Sequence, residues 1–238
     1  MTTPISRDDP YIGWRPRLAE PVLRPGDTAL LVIDMQYADA HKDHGIFKYR
    51  RDHGFTNGLD DMVRRLDLIV PNIQRLQAAC RGRGIEVVFT RIRSLTKDGR
   101  DRSLAHKELG HMFPPGSREA DILDALAPAG DEMVFDKTTG SVFNSTSIHY
   151  VLQNLGIRNL ILVGVMSGGC VESAARDAKD LGYRGIVVDD ACGTWTHEMH
   201  EFALRVMNEV FAKVKTTDEV LAMLSPADEV VERRVAAR

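Results

Sequence analysis

The segment from Asn159 to Leu181 constrains the fold more than any other part of this chain. It opens with a β-branched apolar run, NLILV, passes through the small residues of GVMSGG, and reaches a single cysteine, Cys170. A helical pattern then starts at Glu172. A buried strand, a tight turn and a helix in this order place Cys170 at the carboxyl edge of a parallel sheet and at a helix N-terminus. The helix dipole and the free backbone N–H groups at such a place favour a thiolate and can stabilise an oxyanion.

The same alternation of strand and helix continues along the chain. Apolar strands that alternate with helices imply a doubly wound, Rossmann-like parallel sheet of the α/β class, in which ligands bind outside the carboxyl ends of the strands. The predicted strands are Thr28–Ile33, Ile85–Thr90, Glu132–Asp136, Asn159–Gly164, Gly185–Asp189 and Lys213–Thr216. The predicted helices are Leu59–Arg81 with a kink or restart at Pro71, Ala120–Ala127, Ser145–Leu155, Val171–Gly182, His197–Glu209 and Thr217–Leu224, while residues 36–57 and 91–118 are mostly irregular.

Composition limits the number of domains, the kinds of partner and the redox environment that we expect for the chain. With 238 residues, 43% of them hydrophobic, the chain can bury one core, and we expect an extended arm over residues 1–26, one folded domain over residues 27–226 and a polar tail over residues 227–238. The net charge of −3 favours neither nucleic acid nor an anionic membrane as partner, and no apolar run approaches the ~18 residues of a membrane-spanning helix. Three cysteines without CxxC spacing, Cys80, Cys170 and Cys192, indicate a reducing cytoplasm rather than disulfides or a structural zinc site.

Three ionisable residues stand where predicted strands end: Asp34, Lys137 and Cys170. A thiol has a free pKa of about 8.5, so it needs a proton acceptor and a nearby cation to become a good nucleophile. Asp34 can take the proton, and Lys137 can hold the thiolate and the carboxylate in one site. Taken singly, a strand-end aspartate is more often a cap and a strand-end lysine is usually solvated. All three at one edge of one sheet favour a catalytic site.

The sequences around these three residues are similar to the motifs of a known family. IDMQ contains Asp34, DKTTGSVFNST contains Lys137 and GVMSGGCVESAARDA contains Cys170, and together they resemble the three motifs of the isochorismatase-like cysteine hydrolases. The resemblance extends from about Thr28 to Leu224. It implies a single domain with a six-stranded parallel sheet flanked by helices, and a homo-oligomer that is either a dimer or a tetramer.

The resemblance also implies roles for individual residues. Asp34, Lys137 and Cys170 would form the catalytic triad of the family. The backbone N–H groups of Met166 and Cys170 would form the oxyanion hole, and the peptide bond between Val165 and Met166 would be cis.

The presence of Cys170 distinguishes between the branches of that family. Isochorismatases proper cleave a vinyl ether and typically lack this cysteine, and nicotinamidases carry paired Asp and His metal ligands where this chain has Arg91 to Leu95. The resemblance therefore implies no metal, no cofactor, and hydrolysis of a C–N bond in a linear amide, ureido or carbamoyl compound through a covalent cysteine intermediate, with release of ammonia or an amine. The relatives left act on N-carbamoylsarcosine, ureidoacrylate, biuret or triuret, but the small residues Ser167-Gly168-Gly169 leave the substrate open.

Two other functions stay open at this stage: a catalytically silent member of the fold that binds a small molecule, and a vinyl-ether hydrolase of the isochorismatase type. His197 and His200 have helical spacing and are interpreted as first-turn residues of a helix rather than metal ligands. The candidate substrate-binding residues can equally be solvated arginines, turn amides and packed aromatics; they are Gln36, Tyr37, Arg91, Arg93, Phe143 and Asn144.

Overall fold

A computed structural model describes Trp14 and residues 17–224 of the chain. Most of the predicted arm (residues 1–13, 15 and 16) lies outside the described residues, as do residues 225–238, which include the whole predicted tail. In the described part, no helix is long and apolar enough to cross a membrane.

Strands and helices alternate through the described residues. The strands are β1 (Thr28–Ile33), β2 (Glu86–Ile92), β3 (Val134–Lys137), β4 (Asn159–Val165), β5 (Arg184–Gly193) and β6 (Ala212–Lys215). The helices are α1 (Tyr37–Ala40), α2 (Gly45–Asp52), α3 (Leu59–Arg81), α4 (Leu104–Glu108), α5 (Ile148–Asn154), α6 (Glu172–Asp180), α7 (His197–Met207) and α8 (Thr217–Leu224). Short 3-10 turns occupy Arg118–Ala120, Asp124–Leu126 and Val142–Asn144, and an irregular helical turn occupies Ser167–Val171.

All six strands are parallel and lie in the order β3-β2-β1-β4-β5-β6. The direction of winding reverses between β1 and β4, and the crevice in which such sheets bind ligands opens at that point. The register brings the ends of the strands together there, because Ile33 pairs with Gly164 and Ile92 pairs with Lys137. The predicted fold, a single α/β domain with a doubly wound six-stranded parallel sheet flanked by helices, is confirmed.

The two central strands, β1 and β4, are buried along their whole length. Alternate residues of β1 contact opposite layers: Leu30 and Val32 belong to a core with α3 and α8, whereas Leu31 belongs to a core with α5, α6 and α7. Because both faces of the strand are covered, every position favours an apolar residue. This explains the continuous apolar runs in the sequence.

The helix that contains Pro71 and the helix predicted from Ser145 differ from their predictions. Helix α3 runs unbroken through Pro71, which faces outward, because the fully buried Ile69 and Ile73 hold both halves of the helix on the sheet. The predicted helix from Ser145 begins only at Ile148, because residues 145–147 form a turn between the 3-10 turn at Val142–Asn144 and α5.

The predicted helix over residues 120–127 is replaced by two 3-10 turns. This segment instead pairs with the chain that follows β1: Gln36 forms an isolated bridge with Ile122, and Leu123 N donates to Met35 O at 2.9 Å. Residues 36–57, expected to be irregular, contain helices α1 and α2. Over residues 120–127, long-range pairing overrides the local helical pattern.

The described end of the arm lies along the body of the domain. Leu23 belongs to the main core, and Leu18 N donates to the Glu209 carboxylate at 2.9 Å. Glu20 forms ion pairs with Lys213 and Lys215 at 3.5 and 3.2 Å. These contacts attach residues 17–26 to the edge strand β6.

Gly164, where β4 lies beside the end of β1, provides a first prediction. Its φ is +116°, and a Cβ there would lie 2.0 Å from the Ile33 carbonyl oxygen, whereas Gly182 also has a positive φ, +89°, but has open space around it. We expect Gly164→Ala to lower the free energy of unfolding by about 3 kcal/mol or more, because the strands must separate. Gly182→Ala should cost only about 1–2 kcal/mol of backbone strain. Urea denaturation followed by circular dichroism measures both values, and equal losses would contradict the close approach of β1 and β4.

Candidate active site

Asp34 follows β1 directly and is almost completely buried, at 1% exposure. Its backbone is left-handed, with φ 53°, a conformation that aspartate tolerates better than most residues. Asp34 N donates to Thr90 O on β2 at 3.0 Å, and the Thr90 hydroxyl donates to Asp34 Oδ1 at 3.1 Å. Two hydrogen bonds to one residue of the neighbouring strand therefore hold the carboxylate at the end of the sheet.

Lys137, the last residue of β3, is fully buried. Its Nζ lies 2.9 Å from Asp34 Oδ2 and 3.2 Å from Cys170 Sγ, and it donates to Thr139 O at 3.1 Å. Burial lowers the pKa of Lys137, but the attraction of Asp34 and Cys170 outweighs burial and raises that pKa above its ordinary value. The side chain is therefore an ammonium ion whose neighbours are all acceptors.

Cys170 lies in the irregular turn between β4 and α6 and is half-buried. Burial raises the pKa of its thiol and the Asp34 carboxylate raises it further, while Lys137 lowers it; the net pKa is above its ordinary value. The helix dipole expected to favour a thiolate is weakened here, because Gly168 and Gly169 are not helical and α6 begins only at Glu172. The balance favours a protonated thiol in the resting site.

The turn that carries Cys170 is closed by one backbone carbonyl. Gly169 N and Val171 N both donate to Met166 O, at 2.9 and 3.3 Å. The Val165–Met166 peptide bond, which leads into this turn, is cis. One closed turn therefore carries the Cys170 thiol and the two backbone N–H groups, of Met166 and Cys170, that are the candidate oxyanion hole.

Two of the predicted substrate-binding residues are engaged in local structure. Gln36 is fully buried; its Oε1 accepts from Ile92 N at 2.5 Å, and its Nε2 donates to the carbonyls of Ile92 and Glu119 at 3.0 and 3.1 Å. The Tyr37 hydroxyl accepts from Arg118 at 2.5 Å, and the guanidinium of Arg118 lies over the Tyr37 ring at 3.9 Å. Both side chains link the residues after β1 to the segment around residue 119.

Arg91 and Arg93 share one carboxylate. Each lies 2.6 Å from an oxygen of Asp136 on β3, and Arg91 also donates to Ala120 O at 3.3 Å. The backbone N of Arg93 donates to Lys137 O at 3.2 Å, so the backbone pairing of β2 with β3 continues to the end of β3. The buried Nε of Arg93 has no hydrogen-bond partner among the described residues.

The other two candidates lie on the α6 side of the sheet. Asn144 Nδ2 donates to Asp177 Oδ2 at 2.9 Å, and that contact is exposed. Phe143 packs at the edge of the core beside Tyr183, with ring centroids 5.8 Å apart. Neither side chain has a recorded contact with the triad.

Three polar groups that sequence reasoning did not assign to the site are coupled to the triad. Burial raises the pKa of Asp39 from 3.8 to about 7, with a further rise from Asp34 and an opposing effect of Lys137. Burial lowers the pKa of His106 to about 4 and also lowers that of His111, and Lys137 lowers both. Asp39 Oδ2 and the Nδ1 atoms of both histidines are buried without hydrogen-bond partners within the described ranges.

These residues had no local signature in the sequence. His106 lies in the short helix α4 and His111 in the loop that follows it, and Arg102 donates to the backbone carbonyls of both at 3.4 and 2.8 Å. Asp39 lies in the short helix α1, which the sequence did not predict. Among the described residues, no three His, Cys, Asp or Glu side chains lie where they could hold a metal ion.

Comparisons with known proteins place this geometry in a family. The Isochorismatase domain model matches residues 28–219. The ureidoacrylate amidohydrolase RutB of Acinetobacter baylyi is 30% identical over 218 residues, which cover 82% of each chain. N-carbamoylsarcosine amidase of an Arthrobacter species is 30% identical over 164 residues, which cover 67% of this chain and 62% of that protein. The crystal structure of a cysteine hydrolase from Pseudomonas syringae pv. phaseolicola shares the fold, with a TM-score of 0.77 at 22% identity over 89% of this chain and 98% of that chain. The chain belongs to the isochorismatase family.

Proposed function

We propose that this chain is a cysteine-dependent amidohydrolase that cleaves a C–N bond of a small amide, ureido or carbamoyl compound. The observation that carries the proposal is the pair of contacts made by Lys137 Nζ, 2.9 Å to Asp34 Oδ2 and 3.2 Å to Cys170 Sγ. A carboxylate and a thiol that share one buried ammonium are a base and a nucleophile held together. Two relatives are named for this chemistry, a ureidoacrylate amidohydrolase and an N-carbamoylsarcosine amidase.

The first half of the reaction forms a covalent adduct. Asp34 removes the thiol proton of Cys170 while Sγ bonds to the carbonyl carbon of the substrate. The carbonyl oxygen becomes negatively charged, and the backbone N–H groups of Met166 and Cys170 stabilise that charge. Asp34 then gives the proton to the leaving nitrogen, the C–N bond breaks, and ammonia or an amine departs from an S-acyl or S-carbamoyl cysteine.

The second half returns the enzyme to its starting state. Asp34 takes a proton from water as the water oxygen adds to the adduct carbon. The C–S bond then breaks, the acid or carbamate product leaves, and the proton passes from Asp34 to the sulfur of Cys170. Each proton that Asp34 accepts is therefore returned within the same half-reaction.

Lys137 lowers the free-energy cost of moving negative charge between the Asp34 carboxylate and the Cys170 sulfur. When the proton passes from Cys170 to Asp34, the negative charge passes from the carboxylate to the sulfur. Both atoms lie within 3.2 Å of the same ammonium nitrogen. Because the attraction to Lys137 is kept before and after the transfer, the buried charge is never left unpaired.

The surrounding polar groups suit a urea-like substrate. Such a substrate presents both N–H donors and a carbonyl acceptor, and Arg93 Nε, Asp39 Oδ2 and the two buried histidine Nδ1 atoms offer unpartnered groups of both kinds in the described residues. Ureidoacrylate, N-carbamoylsarcosine, biuret and triuret all carry such a group. Asp39 is the candidate substrate contact that the triad itself influences, because Asp34 and Lys137 both shift its pKa; Arg93 stays a predicted contact.

A substrate panel tests the proposed function. We expect release of ammonia from at least one of ureidoacrylate, N-carbamoylsarcosine, biuret and triuret, with turnover at least ~10³-fold lower in Cys170→Ala. Cys80→Ala is the matched control, because Cys80 is a fully buried core thiol and its loss should leave turnover nearly unchanged. Binding without release of ammonia would indicate a silent binding protein, and cleavage of a vinyl ether that survives Cys170→Ala would indicate an isochorismatase.

Because the thiol of Cys170 is protonated in the resting site, we predict that one substitution raises the rate of its alkylation and lowers turnover. Removal of the Asp34 charge lowers the pKa of Cys170, so Asp34→Asn should speed alkylation of Cys170 by iodoacetamide at pH 7. The same variant should lose at least ~10³-fold in turnover, because no group is left to carry the proton. Lys137→Met should slow both reactions.

Peptide mapping identifies the alkylated cysteine, and the thermal transition of each variant verifies that it is folded. Cys80 and Cys192 are fully buried and should react last in every variant. If Asp34→Asn instead slows alkylation, the Asp34 carboxylate promotes formation of the thiolate rather than opposing it, and the raised resting pKa of Cys170 is wrong.

A further inference from the structure

A second buried polar network lies behind the turn that carries Cys170. Ser167, in that turn, is fully buried, and its Oγ lies 2.7 Å from His200 Nδ1 on α7. His200 is 3% exposed, and its Nε2 lies 2.8 Å from Asp189 Oδ1 on β5. These three residues are far apart in the sequence, and none of them belongs to the proposed triad.

Arg65 of α3 completes this network. Its NH2 group donates to Asp189 Oδ1 at 3.0 Å, and its Nε donates to Cys192 O at 2.8 Å. The same NH2 group lies 2.6 Å from His200 Nε2. One set of polar contacts therefore links helices on both faces of the sheet, strand β5 and the nucleophile turn.

The protonation of His200 decides the direction of these hydrogen bonds. Burial lowers the pKa of His200; the hydrogen bond to Asp189 raises it, and the Arg65 and His197 charges lower it, with a net decrease. The imidazole is therefore neutral at physiological pH and has one N–H group. Nε2 faces both the Asp189 carboxylate, which accepts, and the Arg65 guanidinium, which donates, so each tautomer of His200 satisfies one of these neighbours. In either tautomer a hydrogen bond joins Nδ1 to the Ser167 hydroxyl, which can donate or accept.

The arrangement resembles a serine hydrolase triad only in its residue types. Ser167 Oγ is fully enclosed, so no substrate carbonyl can reach it. Its hydroxyl points into the protein at His200, away from the direction that a nucleophile would need. A structural use of the hydroxyl fits these facts, and a second nucleophile does not.

We propose that His200 is a positioning residue that holds the nucleophile turn through Ser167 and thereby sets the rate of the chemical step. The inference rests on the proposed function. The turn contains Gly168 and Gly169, which have no side chains with which to anchor it. Ser167 lies between Met166 and Cys170, whose N–H groups are the proposed oxyanion hole, and it anchors that segment by a side-chain hydrogen bond. A small displacement of catalytic groups is enough to lose much of a rate enhancement.

A pair of isosteric variants tests this role. The amide oxygen of asparagine can replace Nδ1, whereas the amide of glutamine reaches the position of Nε2. We expect His200→Ala and Ser167→Ala to lower kcat by about 10- to 100-fold with KM changed less than about threefold. His200→Asn should recover most of kcat because its amide can still form a hydrogen bond with the Ser167 hydroxyl, and His200→Gln should not.

A surface cavity beside His200 provides a further readout. The cavity has a volume of about 220 Å³, and Arg65, Thr194, Thr196 and His200 are among the residues that line it. Imidazole added to His200→Ala can enter through this cavity and occupy the vacated place. We expect it to raise kcat of His200→Ala severalfold and to leave Ser167→Ala unchanged.

Thr196→Ala is the matched control for loss of stability. Thr196 caps the same helix, α7, by accepting from Met199 N at 3.2 Å, and in the described residues it forms no hydrogen bond with Ser167. It should lower the melting temperature with kcat unchanged. If His200→Ala behaves in the same way, or if glutamine restores kcat as well as asparagine does, His200 has only a structural role and the proposal is wrong.

Alkylation of Cys170 by iodoacetamide separates this proposal from the proposed function, because it needs no substrate. We expect His200→Ala to slow alkylation at least threefold, since a displaced thiol loses contact with Lys137, and His200→Asn to restore the rate. That result would support the positioning role even if no ureido compound were hydrolysed. An unchanged alkylation rate in a folded His200→Ala variant would overturn it.

Discussion

The buried ammonium of Lys137 must be surrounded by hydrogen-bond acceptors, and the arrangement of the carboxyl edge of the sheet depends on this requirement. Removal of an ammonium ion from water costs several kcal/mol unless nearby charges and hydrogen bonds replace the lost solvation. Lys137 finds these partners in Asp34, Cys170 and the Thr139 carbonyl, at 2.9 to 3.2 Å. The partners come from the ends of β1 and β3 and from the turn after β4, so the strand order and register determine whether the ammonium is stabilised.

The same ammonium makes the thiol and the carboxylate exchangeable carriers of one negative charge. The resting thiol is protonated because burial and Asp34 raise its pKa more than Lys137 lowers it. Its activation therefore requires Asp34 as a base at the moment of attack, and the charge stays beside Lys137 until it passes to the carbonyl oxygen of the substrate. The turn must hold Sγ at this distance, and the Ser167–His200 hydrogen bond at 2.7 Å is suited to that task.

The sequence was sufficient to predict the sheet and the residues at its carboxyl edge. Strands covered on both faces are apolar at every position, and charged residues at their ends therefore stand out, as Asp34 and Lys137 do. The partners of side chains were not predictable, because they depend on segments distant in sequence. Gln36 is bound by Ile92 and Glu119, and Asn144 by Asp177. Asp39 and His106 lie in helices of only four and five residues, α1 and α4, and His111 lies in a loop, so none of them has a periodic pattern that predicts its position.

The central claim is that Cys170 forms a covalent bond with the substrate. Rapid acid quench during turnover, followed by mass spectrometry of the peptides, detects that bond directly. The account predicts an acyl or carbamoyl adduct on Cys170 that appears within the first turnover, decays as substrate is consumed, and is absent from Cys80 and Cys192. Turnover with no adduct on Cys170 under conditions in which adduct breakdown limits the rate, or an adduct on another residue, would contradict the account.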